Sequence, residues 1–451
     1  MRVLALNGLL GYGYGADSLS RAFRPGPPDA LGVDAGSTDP GPSYLGSGKS
    51  FTNRQAVKRD LAGALPLARA HGVPFLIGTA GGAGGNVHVD WLRGIIEEVA
   101  RERGLRFRMA VIRTEPDRAY LKAKLRAGKI RPLGPQLEAT ERSIDESVRI
   151  VSQIGIDPFI RALDEGAEVI LAGRACDTAL YAAPAIRAGF DPGLAFHMAK
   201  IMECGCLCAE PQSAADVLSA VIDPDGFTLE PANPARRCTV EKVAAHTLYE
   251  QADPCRIVEP DGVADVSGAV YTQVSDRAVR VSGSRFLPAA VKTLKIEGVR
   301  QAGFRAISIA GVKDPATIRV LDRLFEDTRE HVRDNLPAGT RPESYRLRLR
   351  RYGADLPADG APPPAGDWGL ILDTVADSQE LADTVCALAR SRLLHADYPG
   401  RKTTAGNLAF PYSPSDIALG PVYTFSLYHV IEVDDLSETA SFEWVEAGGP
   451  A

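Results

Sequence analysis

At 451 residues, 45% hydrophobic and 24% charged, the chain is longer than one hydrophobic core supports and is rich enough in apolar side chains to exclude a disordered protein. A net charge of −6, with Lys and Arg spread along the sequence, removes the electrostatic case for nucleic acid. The opening Met1-Arg-Val-Leu-Ala-Leu-Asn-Gly is too short an apolar run for a signal peptide and no stretch approaches bilayer length, so a cytoplasmic protein is expected.

In chain order, residues 3–6, 74–78, 107–112 and 169–173 read as short buried strands, and residues 53–71, 89–104 and 143–166 carry helix-period apolar spacing between them. That alternation predicts a mostly parallel, helix-covered sheet. Residues 193–202 read as a further helix. From 221 to 315 the texture changes to short alternating segments, which predicts a β-rich extension. Residues 318–336 return to a helix. Strands at 345–350 and 369–373 flank a Pro/Gly/Ala/Asp loop at 356–368, followed by a helix at 378–394 and a last strand at 423–433. This order suits a small ferredoxin-like α+β domain. The expected division is therefore an α/β core at 1–220, a β-rich part at 221–342 and a ferredoxin-like C-terminal domain at 343–451.

Chemistry-bearing residues cluster at a few places. The run Gly78-Thr79-Ala-Gly81-Gly82-Ala-Gly84-Gly-Asn86 follows an apolar strand and precedes a helix, a setting in which backbone amides and the helix N-terminus receive an anion or a developing oxyanion. Val87 stands where a dinucleotide fingerprint needs its third glycine. Gly48-Lys49-Ser50 resembles the end of a P-loop, but Ser43 stands where its first glycine belongs. No cofactor and no metal are expected. The same loop gathers Asp34, Ser37, Asp39, Ser47, Lys49, Asn53 and Arg54 before a helix start, read either as a substrate-binding group or as capping and solvation.

Ala172-Gly-Arg174-Ala-Cys-Asp177 again follows a strand, with His197 and Lys200-Ile-Met-Glu203-Cys204-Gly205 downstream. Arg174 is a candidate carboxylate clamp, and Asp177, His197 and Glu203 are candidate proton carriers. Internal pairs Arg174–Asp177 or Lys200–Glu203 would account for the same charges. Glu203 ends a helix, where the dipole favours its protonated form. The segment 401–416, rich in Gly, Pro and hydroxyl residues, reads as an ordered loop serving either function or a domain contact. Seven cysteines, an odd number, point to free thiols, and Cys204, Cys206 and Cys208 are read as packing residues.

Several of these segments resemble one family. Gly46-Ser-Gly-Lys-Ser-Phe-Thr-Asn-Arg54, Gly173-Arg-Ala-Cys-Asp177, Met202-Glu-Cys-Gly205, Thr247-Leu-Tyr-Glu250, Val281-Ser-Gly-Ser-Arg-Phe286 and Ala405-Gly-Asn-Leu-Ala-Phe-Pro411 are similar to AtuA-like proteins of acyclic terpene utilisation. The resemblance implies a long core, a small ferredoxin-like C-terminal domain and a place in branched carboxylate or acyl-CoA catabolism. With the residues above, the expected activity is that of a lyase or hydratase working next to a carbonyl. A hydrolase, or a non-catalytic acyl-binding or assembly subunit, is the alternative. Expected partners are a small-molecule carboxylate or acyl-CoA, further copies of the chain and a small partner subunit, with neither nucleic acid nor membrane.

Overall fold

The computed structural model describes residues 1–353, 368–401 and 405–448. Contacts divide the chain into two compact units, Met1–Arg300 with Phe425–Ala451, and Gln301–Thr424.

The first unit is built on a ten-stranded sheet. Its strands are β1 (Arg2–Ala5), β2 (Ala30–Asp34), β3 (Phe75–Gly78), β4 (Phe107–Arg113), β5 (Val169–Ala172), β6 (Leu218–Asp223), β7 (Gly226–Pro231), β8 (Val270–Gln273), β9 (Val279–Ser282) and β10 (Ser441–Ala447). They lie in the order β8-β9-β7-β6-β1-β2-β3-β5-β4-β10. The five central strands are parallel, and the flanking strands pair antiparallel. Because side chains alternate across a strand, each central strand feeds two cores. Leu31, Val33, Phe75, Ile77, Val111 and Leu171 face one of them, together with helices α1 (Arg54–Ala70) and α2 (Asn86–Glu102). Leu76, Ala110, Ile112, Ile170 and Ala172 face the other, together with α3 (Ala179–Arg187) and α4 (Pro192–Met202). Gly32 is needed on this second face: a Cβ there would lie 2.6 Å from the Tyr181 ring of α3.

Asp191 caps α4 by accepting from the Leu194 amide at 3.2 Å, with Pro192 in the first turn. Helix α5 (Val240–Thr247) and a three-stranded antiparallel sheet (Arg256–Glu259, Gly262–Asp265, Arg285–Pro288) also pack on α4. Arg149–Gln153 pairs antiparallel with residues 295–299, and Ile130–Pro132 with residues 429–431.

The second unit runs strand, helix, strand, strand, helix, strand. Residues 304–312 pair antiparallel with Trp368–Ala376, which pairs antiparallel with Tyr345–Tyr352. The strand Asp416–Val433 neighbours the long strand Lys292–Val312 on its other side. Helices Leu321–Asn335 and Gln379–His395 cover one face through Leu324, Phe325, Val385 and Leu393 against Val312, Leu370 and Leu372. This is a ferredoxin-like arrangement. Asn407, in the loop singled out for function or contact, donates to Leu393 O and Ala396 O and so closes the helix Gln379–His395 within this unit. Residues 402–404 of that loop and residues 354–367, which hold nearly all of the expected 356–368 loop, lie outside the described residues.

Several elements depart from expectation. Contacts put the unit limits at 300 and 424, inside the expected β-rich part and the expected C-terminal domain. One continuous 21-residue strand, Lys292–Val312, pairs with Arg149–Gln153 through its first half and with Trp368–Ala376 through its second, so its alternating pattern gives no sign of a boundary. Gly303, with φ +133°, lies between the halves. The single helix expected over 143–166 is a helix (Glu141–Asp145), a strand (Arg149–Gln153) and a second helix (Asp157–Asp164). Ile150 and Val151 favour a strand, and Pro158 in the first turn restarts the helix. Strands β2 and β10 were not expected, nor was α5 within the β-rich stretch. Among the described residues, no helix is long and apolar enough to cross a membrane.

Candidate active site

Strands β1, β2 and β5 end at the same edge of the sheet because they are parallel. Just beyond them, Gly8, Asp34 and Asp177 line a pocket of about 350 Å³. Ligands of open α/β sheets bind beyond strand carboxyl ends in this way. Glu203 and Cys204 enter from the end of α4, and Tyr249 and Glu250 from the turn after α5. Leu9, Tyr12, Phe51 and Leu207 give the pocket apolar walls.

The glycine-rich loop after β1 is held from below. Buried Asp60 of α1 accepts from the amides of Gly11 (2.8 Å) and Gly13 (3.0 Å) and from Asn7 Nδ2 (3.2 Å), and its other oxygen is gripped by Arg59. A charged acceptor with several donors fixes a loop that glycine alone leaves free.

Asp34 ends β2 and is 5% exposed. Its Oδ2 accepts from the Gly36 amide at 2.9 Å, while Oδ1 has no hydrogen-bond partner. Burial and the nearby Asp177 carboxylate push its carboxyl well above the usual range, against the pull of Arg174. Asp177 lies 3.3 Å from Arg174 Nη1; burial raises it, with Arg174 and Lys200 opposing. Glu203 is 5% exposed and accepts from Lys200 Nζ at 2.5 Å. Burial pushes Glu203 up to about 8, with Asp177 adding to the rise and Lys200 opposing it. Carboxyls confined together do not all ionise, so the pocket holds an acid and a base at once.

Not every expected residue joins this pocket. Asp177 and Glu203 do. Arg174 is 2% exposed and already committed: Nε donates to Glu297 Oε2 at 3.0 Å, and Nη1 donates to Ala175 O and Asp177. Glu297, fully buried, also holds Lys295 Nζ at 2.6 Å and the Thr38 hydroxyl at 2.7 Å. Burial works against the Glu297 charge, but Arg174 and Lys295 win and hold it at about 2. The expected carboxylate clamp is thus part of an internal charge cluster.

His197 is fully buried, with Nδ1 bonded to the Ser284 hydroxyl at 2.7 Å and Nε2 to the Thr247 hydroxyl at 2.9 Å. Burial lowers its pKa to about 3. A neutral ring with both nitrogens engaged braces α4 against α5 and lies outside the pocket wall.

The glycine turn lies beside the pocket but not in its wall. Gly78, Thr79, Gly81, Gly82 and Gly84 are all buried. The amides of Gly82 and Gly84 donate to Thr79 O and Ala80 O, and the Asn86 amide donates to the Glu115 carboxylate at 2.6 Å. The anion expected at the N-terminus of α2 is therefore the chain's own Glu115. A Cβ on Gly84 would sit 2.2 Å from the Arg174 amide, so this glycine serves close packing of two backbones. Thr79 Oγ1 ties the turn to Ala175 O at 3.2 Å.

Ser47, Lys49, Asn53 and Arg54 are exposed and outside the pocket. Ser47 Oγ accepts from the Lys49 amide, Asn53 caps α1 through the Gln55 amide, and Arg54 pairs with Glu98. Cys206 and Cys208 are buried and Cys204 half-buried, all as free thiols. Among the described residues, no group of His, Cys, Asp or Glu is placed to hold a metal ion.

Sequence reasoning gathered Asp34 with Asp39 in one candidate loop but gave Asp34 no role of its own, and it missed Tyr249, Glu250 and the Gly8 loop. The signal for Asp34 was present: Ala30-Leu-Gly-Val-Asp34 is a short apolar run ending at a polar residue and a glycine-rich turn, as at β3 and β5. Tyr249 and Glu250 sit in the segment Thr247-Leu-Tyr-Glu250, and Glu203 and Asp177 in two of the other segments that carry the family resemblance.

No curated protein and no solved structure matches the chain. Residues 51–365 match the family described as acyclic terpene utilisation family protein AtuA. That span takes in Phe51, Asp177, Glu203, Tyr249 and Glu250 of the pocket and covers most of the sequence, so the chain belongs to the AtuA family.

Proposed function

We infer that the chain is a metabolic enzyme of branched carboxylate or acyl-CoA catabolism, a lyase or hydratase that moves a proton next to a carbonyl. The observation that carries this reading is the convergence of Asp34, Asp177 and Glu203 on one pocket with apolar walls. The family's setting in acyclic terpene utilisation supports a branched hydrocarbon substrate. In the dehydrating direction, the ionised fraction of Glu203, which grows as pH rises toward about 8, takes the proton from the carbon next to the carbonyl. Protonated Asp177 gives its proton to the leaving hydroxyl, which departs as water and leaves a double bond. Hydration is the same path reversed.

The test incubates purified protein with branched 3-hydroxyacyl-CoA and 2-enoyl-CoA thioesters in deuterated water, read by mass spectrometry. Interconversion by gain or loss of water, with deuterium entering next to the carbonyl, is the expected result. Release of free acid and CoA would establish a hydrolase instead, and binding without change would establish a carrier.

A further inference from the structure

Asp177 stands in the turn between β5 and α3, and its neighbours on either side in the chain are bonded to one buried carboxyl. The Thr178 hydroxyl donates to Glu259 Oε1 at 2.8 Å and lies 3.0 Å from Oε2, and the Cys176 thiol donates to Oε2 at 3.3 Å. Glu259 ends the strand Arg256–Glu259 of the three-stranded sheet, 81 positions beyond Thr178, and is 6% exposed. It forms no part of the pocket wall.

Thr178 occupies the N-cap position of α3, where a threonine hydroxyl ordinarily accepts from an amide of the first turn. No such bond is made here. The helix goes without its side-chain cap, and the hydroxyl holds Glu259 instead. Burial raises the Glu259 carboxyl to about 8, against the pull of Thr178 and Cys176. At neutral pH it is therefore mostly uncharged, and it holds the turn without setting a negative charge beside Asp177. Asp177 is thus fixed from two sides: Arg174 Nη1 meets its side chain at 3.3 Å, and Glu259 holds the residues that flank it.

We propose that Glu259 is a positioning residue for the reaction: by holding Cys176 and Thr178 it fixes the turn that carries Asp177 in the pocket wall, and it touches no substrate. The role rests on the lyase or hydratase reading, in which Asp177 gives its proton to the leaving hydroxyl. A displacement of about 1 Å in a group that must meet a reacting atom can lower the rate on the order of 100-fold.

Glu259→Gln, Glu259→Met and Thr178→Val test this, after thermal denaturation has established which of them are folded. Gln has the shape of the uncharged acid and keeps an oxygen for Thr178, Met fills the space without one, and Val removes the hydroxyl while leaving Glu259 intact. The first measurement is carbon-13 NMR titration of the chain labelled at aspartate carboxyl carbons, with Asp177 identified by its loss in Asp177→Asn. Burial is the largest influence on Asp177 and raises it, so a turn that loosens and admits water brings its midpoint down. Glu259→Met and Thr178→Val are expected to lower that midpoint by about 0.5 pH unit or more, and Glu259→Gln to leave it within about 0.2. The second measurement is turnover of branched 3-hydroxyacyl-CoA thioesters. The Met and Val variants are expected to lose about 10-fold or more in kcat with KM within about 3-fold, and Gln to restore both.

A residue that only pins the three-stranded sheet would lower the thermal midpoint and leave the Asp177 titration and kcat as in wild type, which would overturn the proposal. Equal effects of Gln and Met would overturn it too, since both remove the ionisable group and only Met removes the hold on Thr178. If Glu259→Met does not fold, Thr178→Val decides alone, and an unmoved Asp177 midpoint there rejects the role. The titration needs no substrate. A lowered midpoint with no turnover of any thioester would therefore remove the lyase or hydratase reading and leave Glu259 as the residue that holds Asp177 in place.

Discussion

Glu203→Gln is expected to lower turnover by roughly 100-fold or more, the usual contribution of a proton-transferring side chain. The amide keeps the shape of the carboxyl and an oxygen for Lys200, and Lys200 also has Glu250 within 3.9 Å. The variant is therefore expected to lose only about 1–3 kcal/mol, the worth of a charge-assisted hydrogen bond, and to unfold a few degrees lower. The pH dependence of stability separates the two proteins further. A carboxyl raised from 4.5 unfolded to about 8 folded stabilises fully below its unfolded pKa, and that contribution is lost as pH rises through about 8. Wild type should show this decline between those values, and Glu203→Gln should lack it. Wild-type turnover by the variant would take Glu203 out of the reaction and leave Asp177 in its place.

Glu297→Ala is expected to cost about 3–5 kcal/mol, because it leaves Arg174 and Lys295 as buried cations without their shared counter-charge. Urea denaturation at constant slope measures the loss. Glu297→Gln, which keeps an acceptor for Thr38, should lose less. Truncating an exposed pair such as Arg142–Glu146 should leave stability close to that of wild type. The sign with pH is opposite to that of Glu203: Glu297 is depressed to about 2, so its contribution is present above 4.5 and lost as pH falls through about 2. A Glu297→Ala protein as stable as wild type would show that the cluster beside the pocket is not what holds Arg174.

Much of this architecture was legible in the sequence, for identifiable reasons. The runs that became β1, β3, β4 and β5 are short, apolar on both faces and bounded by turns, as strands buried between two helical layers are. Asp177 and Glu203 could be read as pocket candidates because Asp177 lies in the turn between β5 and α3 and Glu203 is the residue after α4. The second unit was legible as a fold but not in its limits, since the strand Lys292–Val312 continues unbroken from one unit to the other. What sequence could not supply was commitment. Arg174, His197 and the glycine turn have the chemistry of site residues, but their hydrogen bonds go to Glu297, Ser284, Thr247 and neighbouring backbone, partners tens of residues or more away in most cases. A donor is available to a substrate only if the fold leaves it unpaired, and pairing is a property of the tertiary structure.

The central claim is that Glu203 is a carboxyl poised for proton transfer in a pocket shared with Asp34 and Asp177. Carbon-13 NMR titration of the chain labelled at glutamate carboxyl carbons, compared with Glu203→Gln, tests it without knowledge of the substrate. The prediction is a resonance titrating near pH 8 in the wild type that is absent from the variant. If the resonance that disappears in Glu203→Gln instead titrates in the ordinary carboxylate range of about 4 to 5, Glu203 is a plain ion-pair partner of Lys200 and the proposed acid/base centre is contradicted.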